Sequence, residues 1–257
     1  MNAMPSFDMT GKVALVTGAS GGLGRHFAGV LADAGAHVAV CARRGDKIAE
    51  AVAEIEAGGG RAVGLQMDVT VPESVEATFE AIEEEAGTVT VLVNNAGVAE
   101  GKAALELTEA DWDRVMDTNL KGAWTVAHEA ARRMAAAKTG GVIVNIASVL
   151  GLRVGKGVLP YAVSKAGVVQ MTKALALELA PAGIRVNALA PGFVETDLNR
   201  EFLESEAGQK IIKRVPFRRP GTMEELTAPL LLLASDASTY LTGSILAVDG
   251  GHLVSSL

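Results

Sequence analysis

The sequence has few of the residues on which several classes of protein depend. Its 257 residues include one cysteine, two tryptophans, two tyrosines and four histidines. The single Cys41 excludes an internal disulfide and a multi-cysteine metal site, and we predict no metal. A net charge of −7 argues against a nucleic-acid partner held by phosphate neutralisation. No apolar run reaches the roughly eighteen residues of a membrane span, and no signal peptide is evident, so we expect a cytoplasmic protein without a membrane partner.

Short apolar, β-branched runs alternate with longer alanine-rich stretches of helical periodicity. The runs predict strands at Lys12–Thr17, His37–Ala42, Ala62–Gln66, Val89–Asn94, Gly141–Ala147, Ile184–Leu189 and Ile245–Val248. The stretches predict helices at roughly Gly22–Ala34, Lys47–Ala57, Pro72–Ala86, Asp111–Ala137, Tyr161–Leu179 and Met223–Ala234. This alternation is typical of an α/β fold, a doubly wound parallel sheet of about seven strands with helices on both faces.

We expect one domain over residues 11–257, preceded by a short tail at residues 1–10. Ligands of such sheets bind at the carboxyl ends of the strands. The irregular segment at 191–220 is predicted to be a partly helical flap over that site, and an ordinary surface excursion is the alternative.

The stretch Gly18-Ala-Ser20-Gly-Gly22 has two interpretations. It fits G-x-S-x-G, the turn that presents the nucleophilic serine of a hydrolase. It also follows a predicted strand and opens a predicted helix, an arrangement in which backbone N–H groups cradle a phosphate.

The hydrolase interpretation requires a histidine and an acid to activate Ser20. The sequence offers only His26, His37, His128 and His252, and Asp249 before His252 allows a Ser…Asp…His order. However, a hydrolase elbow normally belongs to a central strand well into the chain, whereas this turn follows the first strand. The phosphate cradle is therefore the favoured interpretation.

Four further segments fall in register with one family pattern. They are Asn94-Asn-Ala-Gly97, Asp117-Thr-Asn-Leu-Lys-Gly122, Asn145-Ile-Ala-Ser148 and Tyr161-Ala-Val-Ser-Lys165. With Thr17-Gly18-x-x-x-Gly22-x-Gly24, they make the chain resemble the short-chain dehydrogenase/reductase family in its compact single-domain branch. The resemblance runs from Lys12 to Gly251. It implies a Rossmann-like fold and an enzyme that interconverts a ketone and a secondary alcohol by hydride transfer.

The resemblance assigns catalysis to Asn119, Ser148, Tyr161 and Lys165. Tyr161 and Lys165 are four apart on a helical stretch, so they share a face, and a lysine ammonium is expected to lower the pKa of the phenol. Ser148 would hydrogen-bond the substrate oxygen, Tyr161 would act as general acid or base, and Asn119 would hold a water that relays protons. Related enoyl reductases separate their tyrosine and lysine more widely, so reduction of a carbon–carbon double bond is disfavoured.

The cofactor is expected to be NADP(H) rather than NAD(H). Ala42 stands where NAD-selective relatives carry aspartate, and Arg43 offers a guanidinium for a 2′-phosphate, although Arg43 and Arg44 could also form a solvated turn. The resemblance places at the cofactor Gly18, Ser20, Gly22, Leu23, Gly24, Arg43, Asp68, Val69, Asn95, Ala96, Gly97, Tyr161, Lys165, Pro191, Gly192, Val194 and Thr196. Asp68 and Val69 could instead cap the following helix.

The substrate is a small carbonyl or alcohol whose identity the sequence leaves open. Leu150, Leu159 and Phe193 make the predicted pocket apolar, and Arg153 and Lys156 add positive charge that would suit a phosphate or carboxylate. A 3-oxoacyl thioester is favoured over a sugar, polyol or other secondary alcohol, because NADP(H) more commonly serves reduction in the family. A non-catalytic nucleotide-binding regulator is the alternative from another class. Relatives imply a homo-oligomer, a homotetramer or dimer.

Overall fold

Seven strands form one parallel sheet in the computed structural model, which describes residues 6–196 and 199–255. The strands are β1 (Val13–Thr17), β2 (His37–Ala42), β3 (Arg61–Gln66), β4 (Val91–Asn94), β5 (Gly141–Ile146), β6 (Ile184–Pro191) and β7 (Ile245–Val248). Their order across the sheet is β3-β2-β1-β4-β5-β6-β7, and every neighbouring pair is parallel. The predicted fold class is confirmed.

Helices cover both faces of the sheet. Those in the described residues are α1 (Gly22–Asp33), α2 (Gly45–Ala57), α3 (Pro72–Ala86), α4 (Glu109–Met116), α5 (Ala123–Ala137), α6 (Leu159–Leu179), α7 (Arg200–Glu204), α8 (Glu206–Ile212) and α9 (Thr227–Ala234). Residues of α1, α2 and α9 pack in one apolar cluster, and residues of α3 and α5 pack in a second cluster on the opposite face.

Strand β1 shows why the apolar runs are continuous. Val16 packs in the cluster with Phe27 of α1, whereas Leu15 packs in the cluster with Phe79 of α3. Alternate side chains of a central strand are therefore buried on opposite faces. The edge strands β3 and β7 are more exposed, because each has a neighbouring strand on one side only.

The long helix predicted over Asp111–Ala137 is interrupted. A capping box of Thr108 and Asp111 starts α4, and a π-helical turn over Asp117–Gly122 separates α4 from α5. A second difference lies at the chain start, because Met9 is fully buried and its N–H donates to the carbonyl of Ala34 at 2.8 Å. The apolar Met9 side chain thus anchors the end of the predicted tail, of which residues 1–5 lie outside the described part.

The sheet order fixes where a ligand can bind. β1 and β4 are adjacent, but the chain leaves β1 toward β2 on one side and leaves β4 toward β5 on the other. The connections therefore diverge and leave a crevice at the carboxyl ends of these two strands. Among the described residues, no helix is long and apolar enough to cross a membrane.

Candidate active site

The loop after β1 is shaped by its glycines. Gly18 and Gly22 have φ angles of +66° and +51°, which side chains rarely tolerate. A Cβ on Gly18 would lie 2.9 Å from Cα of Ala96, and one on Gly24 would lie 2.5 Å from Nδ2 of Asn95 and collide with the Gly18 carbonyl. These glycines let the first turn of α1 approach β4 closely.

The loop after β4 is bound to β1 at the same place. Asn95 donates from Nδ2 to the carbonyl of Thr17 at 2.9 Å, and the N–H groups of Asn95 and Ala96 donate to Thr17 Oγ1 at 2.9 and 2.8 Å. The predicted cofactor residues Gly18, Asn95 and Ala96 are thus brought together at the crevice.

These features fit a dinucleotide. Helix α1 starts at Gly22, and its N-cap Gly21 provides no side-chain cap, so the first N–H groups of the helix lack a capping side chain. Such N–H groups bind phosphate, and the helix dipole favours negative charge there. Leu23 lies in the same first turn, partly exposed.

Ser20 is held by an arginine rather than by a base. Arg44 donates from Nη2 to Ser20 Oγ at 3.1 Å, and a guanidinium cannot take a proton from a serine. Of the histidines considered for a hydrolase, His26 contacts Thr227, and His252 stands beside Phe193. The arginine that reaches this loop is Arg44, whereas the sequence prediction assigned the cofactor contact to Arg43 and left a solvated turn of both arginines as the alternative.

Arg43 lies beside the end of the neighbouring strand β3. Its carbonyl accepts from Gln66 Nε2 at 2.9 Å, and its positive charge helps to lower the pKa of Asp68. Burial alone would raise the pKa of Asp68. Two hydrogen bonds to its Oδ1, from the Thr70 N–H at 2.9 Å and from Thr70 Oγ1 at 2.7 Å, outweigh that effect and lower the pKa. Asp68 therefore closes the turn before α3, and Val69 is buried beside Gly122, where an added Cβ would lie 2.8 Å from Val69 Cγ2.

Ser148, Tyr161 and Lys165 converge between β5 and α6. Ser148 follows β5, and its Oγ accepts from the N–H of Leu150 at 3.1 Å, so its O–H remains able to donate. Lys165 Nζ donates to the carbonyl of Ile146 at 2.7 Å and lies 5.7 Å from the centre of the Tyr161 ring. One face of α6 thus presents both side chains toward the end of β5.

Asn119 lies within the π-helical turn and is buried. Its Oδ1 accepts from the N–H of Val98 at 2.7 Å, and its Nδ2 donates to the carbonyl of Val98 at 2.8 Å and to Ser164 Oγ at 3.1 Å. The side chain therefore ties the loop after β4 to α6. A π-turn inside a helix is frequent at functional sites.

The expected lowering of the pKa of Tyr161 by Lys165 is wrong for the protein alone. Burial raises the pKa of the Tyr161 phenol, and the opposing interaction comes from the Ser148 hydroxyl. Burial also lowers the pKa of Lys165 to about 8. Desolvation thus disfavours the charged form of both groups, and the Lys165 ammonium is directed at the Ile146 carbonyl.

The residues after β6 complete the crevice. Pro191 ends β6 and is buried, and an added Cβ on Gly192 would lie 2.8 Å from Cα of Asp249. Val194 bridges to Gly221, and the N–H of Thr196 donates to Asn199 Oδ1 at 2.8 Å. Of the predicted apolar pocket residues, Leu159 is exposed at the start of α6, whereas Leu150 and Phe193 are partly buried.

Known proteins share the whole of this architecture. A family model described as enoyl-(acyl carrier protein) reductase matches residues 18–252. A 3-oxoacyl-[acyl-carrier-protein] reductase of Aquifex aeolicus is 40% identical over 245 residues, which cover 95% of this chain and 98% of the relative. The chain belongs to the short-chain dehydrogenase/reductase family.

Solved structures of the short-chain dehydrogenase/reductase family superpose over nearly the full chain. A family member from Mycobacterium marinum is 41% identical, with a TM-score of 0.91 and coverage of 96% of this chain and 97% of that chain. A gluconate 5-dehydrogenase from Burkholderia cenocepacia, in complex with NADP and tartrate, is 35% identical, with a TM-score of 0.93 and coverage of 98% and 99%. The chain is accordingly an NAD(P)-dependent oxidoreductase, as the resemblance implied.

Proposed function

We propose that the protein reduces a ketone to a secondary alcohol with NADPH and carries out the reverse oxidation, with Tyr161 as general acid and base. The convergence of Ser148, Tyr161 and Lys165 at the end of β5 carries this proposal. A bound nicotinamide cofactor supplies or accepts the hydride. The four-residue spacing of Tyr161 and Lys165, by resemblance, favours a carbonyl over the carbon–carbon double bond named in the family model's description.

Each side chain has a defined part in that reaction. The Tyr161 hydroxyl, whose pKa burial keeps high, donates its proton to the carbonyl oxygen as that oxygen gains negative charge. Ser148, fixed by the N–H of Leu150, donates a second hydrogen bond to the same oxygen. A fixed donor needs no reorientation when charge develops, which is the source of its contribution.

Lys165 and Asn119 border one gap that suits a proton-relaying water. A Cβ placed on Gly97 would lie 3.3 Å from Asn119 Oδ1 and 3.7 Å from Lys165 Nζ, so both groups face the space beside Gly97. Asn119 Oδ1 uses one acceptor position for Val98 and keeps a second. Deprotonated Tyr161 would recover its proton through Lys165 and a water in this gap.

We assign the preference for NADPH to Arg43 and Arg44 together. Arg44 lies over the glycine loop through Ser20, Arg43 lies beside Asp68, and Ala42 leaves no carboxylate at the end of β2. Two guanidinium groups on either side of this strand end suit the 2′-phosphate that distinguishes NADPH from NADH.

Replacing either arginine should weaken NADPH binding selectively. Arg43→Ala and Arg44→Ala are each expected to raise the Kd for NADPH about tenfold and the Kd for NADH less than twofold, because a charge-assisted hydrogen bond to phosphate is lost. Fluorescence titration of both cofactors measures this. Arg61→Ala, an exposed arginine at the opposite end of β3, is the matched control. Equal losses for both cofactors would refute the assignment.

For the substrate, we propose a 3-oxoacyl thioester first and a sugar acid or polyol second. Curated relatives that match nearly the full chain include 3-oxoacyl-[acyl-carrier-protein] reductases, and solved relatives of similar identity include a gluconate 5-dehydrogenase. Initial rates of NADPH oxidation with an acetoacetyl thioester and with 5-oxogluconate test which of the two substrate classes the protein prefers. Faster turnover of the thioester supports the first substrate, and turnover of the oxo acid alone supports the second.

We further propose that the protein is a homo-oligomer, a tetramer or dimer, assembled through α4, α5 and α6. A surface groove of about 380 Å³ runs between these helices and is lined by Met116, Asp117, Leu120, Lys121, Trp124 and Met171. Trp124 is 49% exposed and lies beside Met116, Leu120 and Met171, so the groove presents a continuous apolar surface that a second copy would cover.

Trp124→Asp should therefore dissociate the assembly. The expected result is a monomer mass in light scattering, because a charge would be buried in an apolar contact. Leu105→Asp makes the same kind of change at a fully exposed leucine outside the groove and should leave the mass unchanged. A wild-type protein that is already monomeric would contradict the proposal.

A further inference from the structure

We propose that Arg153, Arg214 and His252 form a subsite that binds an acid group of the substrate, a carboxylate or a phosphate. This inference rests on the proposed function only in taking the ligand to be the substrate. It assigns a role to His252 and Arg214, neither of which belongs to the predicted catalytic or cofactor-binding set.

Three segments meet at His252. Arg153 lies just after the 3₁₀ turn Val149–Gly151 that follows Ser148, and its Nη1 donates to the His252 carbonyl at 2.5 Å and to Ser255 Oγ at 3.1 Å. The His252 ring lies 5.7 Å from the ring of Phe193, centre to centre. The turn after Ser148, the segment after β7 and Phe193, two residues after the end of β6, therefore lie side by side.

The flap brings Arg214 to the same place. A Cβ on Gly250 would lie 3.0 Å from Val215 Cγ1, and one on Gly251 would lie 3.1 Å from Pro216 Cγ, so the flap packs directly on the turn before His252. Arg214 immediately precedes Val215. Burial lowers the pKa of His252, and the charges of Arg153 and Arg214 lower it further against the opposing effect of Asp249.

The positive charge at this junction is not neutralised by the described part of the protein. Within residues 6–196 and 199–255, neither Arg153 nor Arg214 pairs with a carboxylate, and the partners of Arg153 are a carbonyl and a hydroxyl. The Asp249 carboxylate accepts from the N–H groups of Gly251 and Leu253, at 2.8 and 2.7 Å. Lys210 and Arg219 of the flap, in contrast, are paired with carboxylates.

The ion pairs of Lys210 and Arg219 differ from the surroundings of Arg153 and Arg214. Lys210 Nζ lies 2.7 Å from Glu206 Oε1, and Arg219 Nη2 lies 2.7 Å from Glu225 Oε1. Guanidinium groups without a carboxylate bind an external carboxylate or phosphate in a fork geometry, and a neutral imidazole beside them can donate a further hydrogen bond.

The position of the subsite distinguishes it from the site for the cofactor's 2′-phosphate. That phosphate is assigned to the end of β2, and Phe193 follows β6, four strand positions away in the sheet. At roughly 4.8 Å between strands, the two places are about 19 Å apart. Phe193 is a predicted substrate contact, and Arg153 lies five residues after Ser148, so the anion belongs to the substrate.

Binding of D-gluconate and of the uncharged D-glucitol to the full chain tests the subsite without turnover. With isotope-labelled histidine and the His252→Gln variant for assignment, gluconate should shift the His252 ring signal saturably and raise its apparent pKa, and glucitol should not. Pantetheine 4′-phosphate serves as a second anion. A response to gluconate alone identifies a free acid, a response to the phosphate identifies a thioester carrier, and a response to neither overturns the subsite.

Two flap variants make the test specific. Arg214→Gln should weaken the anion's apparent affinity about tenfold, the loss expected for a charge-assisted hydrogen bond, whereas Lys210→Gln removes the same charge from the same flap and should change it less than twofold. Equal weakening in both variants would mean that only the overall charge matters and would overturn the subsite. If no carbonyl is reduced with NADPH, the proposed function fails, but this titration still decides whether the subsite exists.

Discussion

Tyr161→Phe should lower kcat about 10³-fold and leave the Kd for NADPH within about twofold of the wild-type value. The phenyl ring keeps the shape of the side chain but cannot donate a proton to the carbonyl oxygen, and general acid catalysis contributes about 10²- to 10⁴-fold. Ser148 would still donate its hydrogen bond, so a small residual rate is expected. Steady-state rates and cofactor titration measure the two quantities separately.

The sequence supplies a matched control for this variant. Tyr240 is the other tyrosine, fully exposed and remote from the carboxyl ends of the strands. Tyr240→Phe should therefore leave kcat unchanged. If Tyr161→Phe keeps more than a tenth of the wild-type rate, Tyr161 is not the proton donor.

Lys165→Met should abolish turnover and at the same time stabilise the fold near neutral pH. The buried ammonium has a pKa of about 8, below the ordinary value of 10.5, so the folded state binds its proton more weakly than the unfolded state does. A difference of this size opposes folding by about 3 kcal/mol at pH 7. Methionine fills a similar volume and removes that charge, although the hydrogen bond to Ile146 is lost.

The pH dependence identifies the cause. Since the folded pKa is lowered, the penalty is fully present below about pH 8 and disappears as pH rises toward 10.5, where the unfolded lysine also loses its proton. Chemical denaturation of the cofactor-free protein should therefore show Lys165→Met more stable than wild type by up to about 3 kcal/mol at pH 7. The difference should fall to about 1 kcal/mol or less at pH 10.

Lys173→Met is the control, because Lys173 is exposed on the same helix. It should change neither turnover nor the pH dependence of stability. A stability difference for Lys165→Met that is the same at both pH values would show that packing, and not the buried charge, is responsible.

The sheet and the common helix face of Tyr161 and Lys165 were predictable because each has a local signal. Strands such as β1 and β4 are uninterrupted apolar runs, and burial on both faces requires just that composition. Tyr161 and Lys165 are four residues apart on one helix, so their common face follows from helical geometry alone.

The position of Asn119 could not be derived in the same way. The π-helical turn depends on contacts made outside the helix, where Asn119 bonds to Val98 and Gly122 packs on Val69. The helical periodicity of the sequence runs through this turn unchanged, so it predicts one continuous helix. Only the tertiary contacts select the interruption.

The other differences also arise from distant partners. Two arginines in succession follow β2, and the sequence does not reveal that Arg44, rather than Arg43, reaches Ser20. Burial raises the pKa of Tyr161, and the four-residue spacing from Lys165 does not indicate how deeply the phenol is buried. His252 comes near Arg153, about a hundred residues earlier, only because β7 lies beside β6 in the sheet.

The most direct test of carbonyl reduction is transfer of label from NADPH carrying deuterium at both C4 positions. The protein would be incubated with this cofactor and a panel of an acetoacetyl thioester, 5-oxogluconate and a neutral diketone, and the products would be analysed by mass spectrometry. Carbonyl reduction predicts an alcohol with one deuterium on the carbinol carbon, formed rapidly by wild type and only at the small residual rate by Tyr161→Phe. NADPH that binds but yields no labelled alcohol from any of these carbonyls would contradict it.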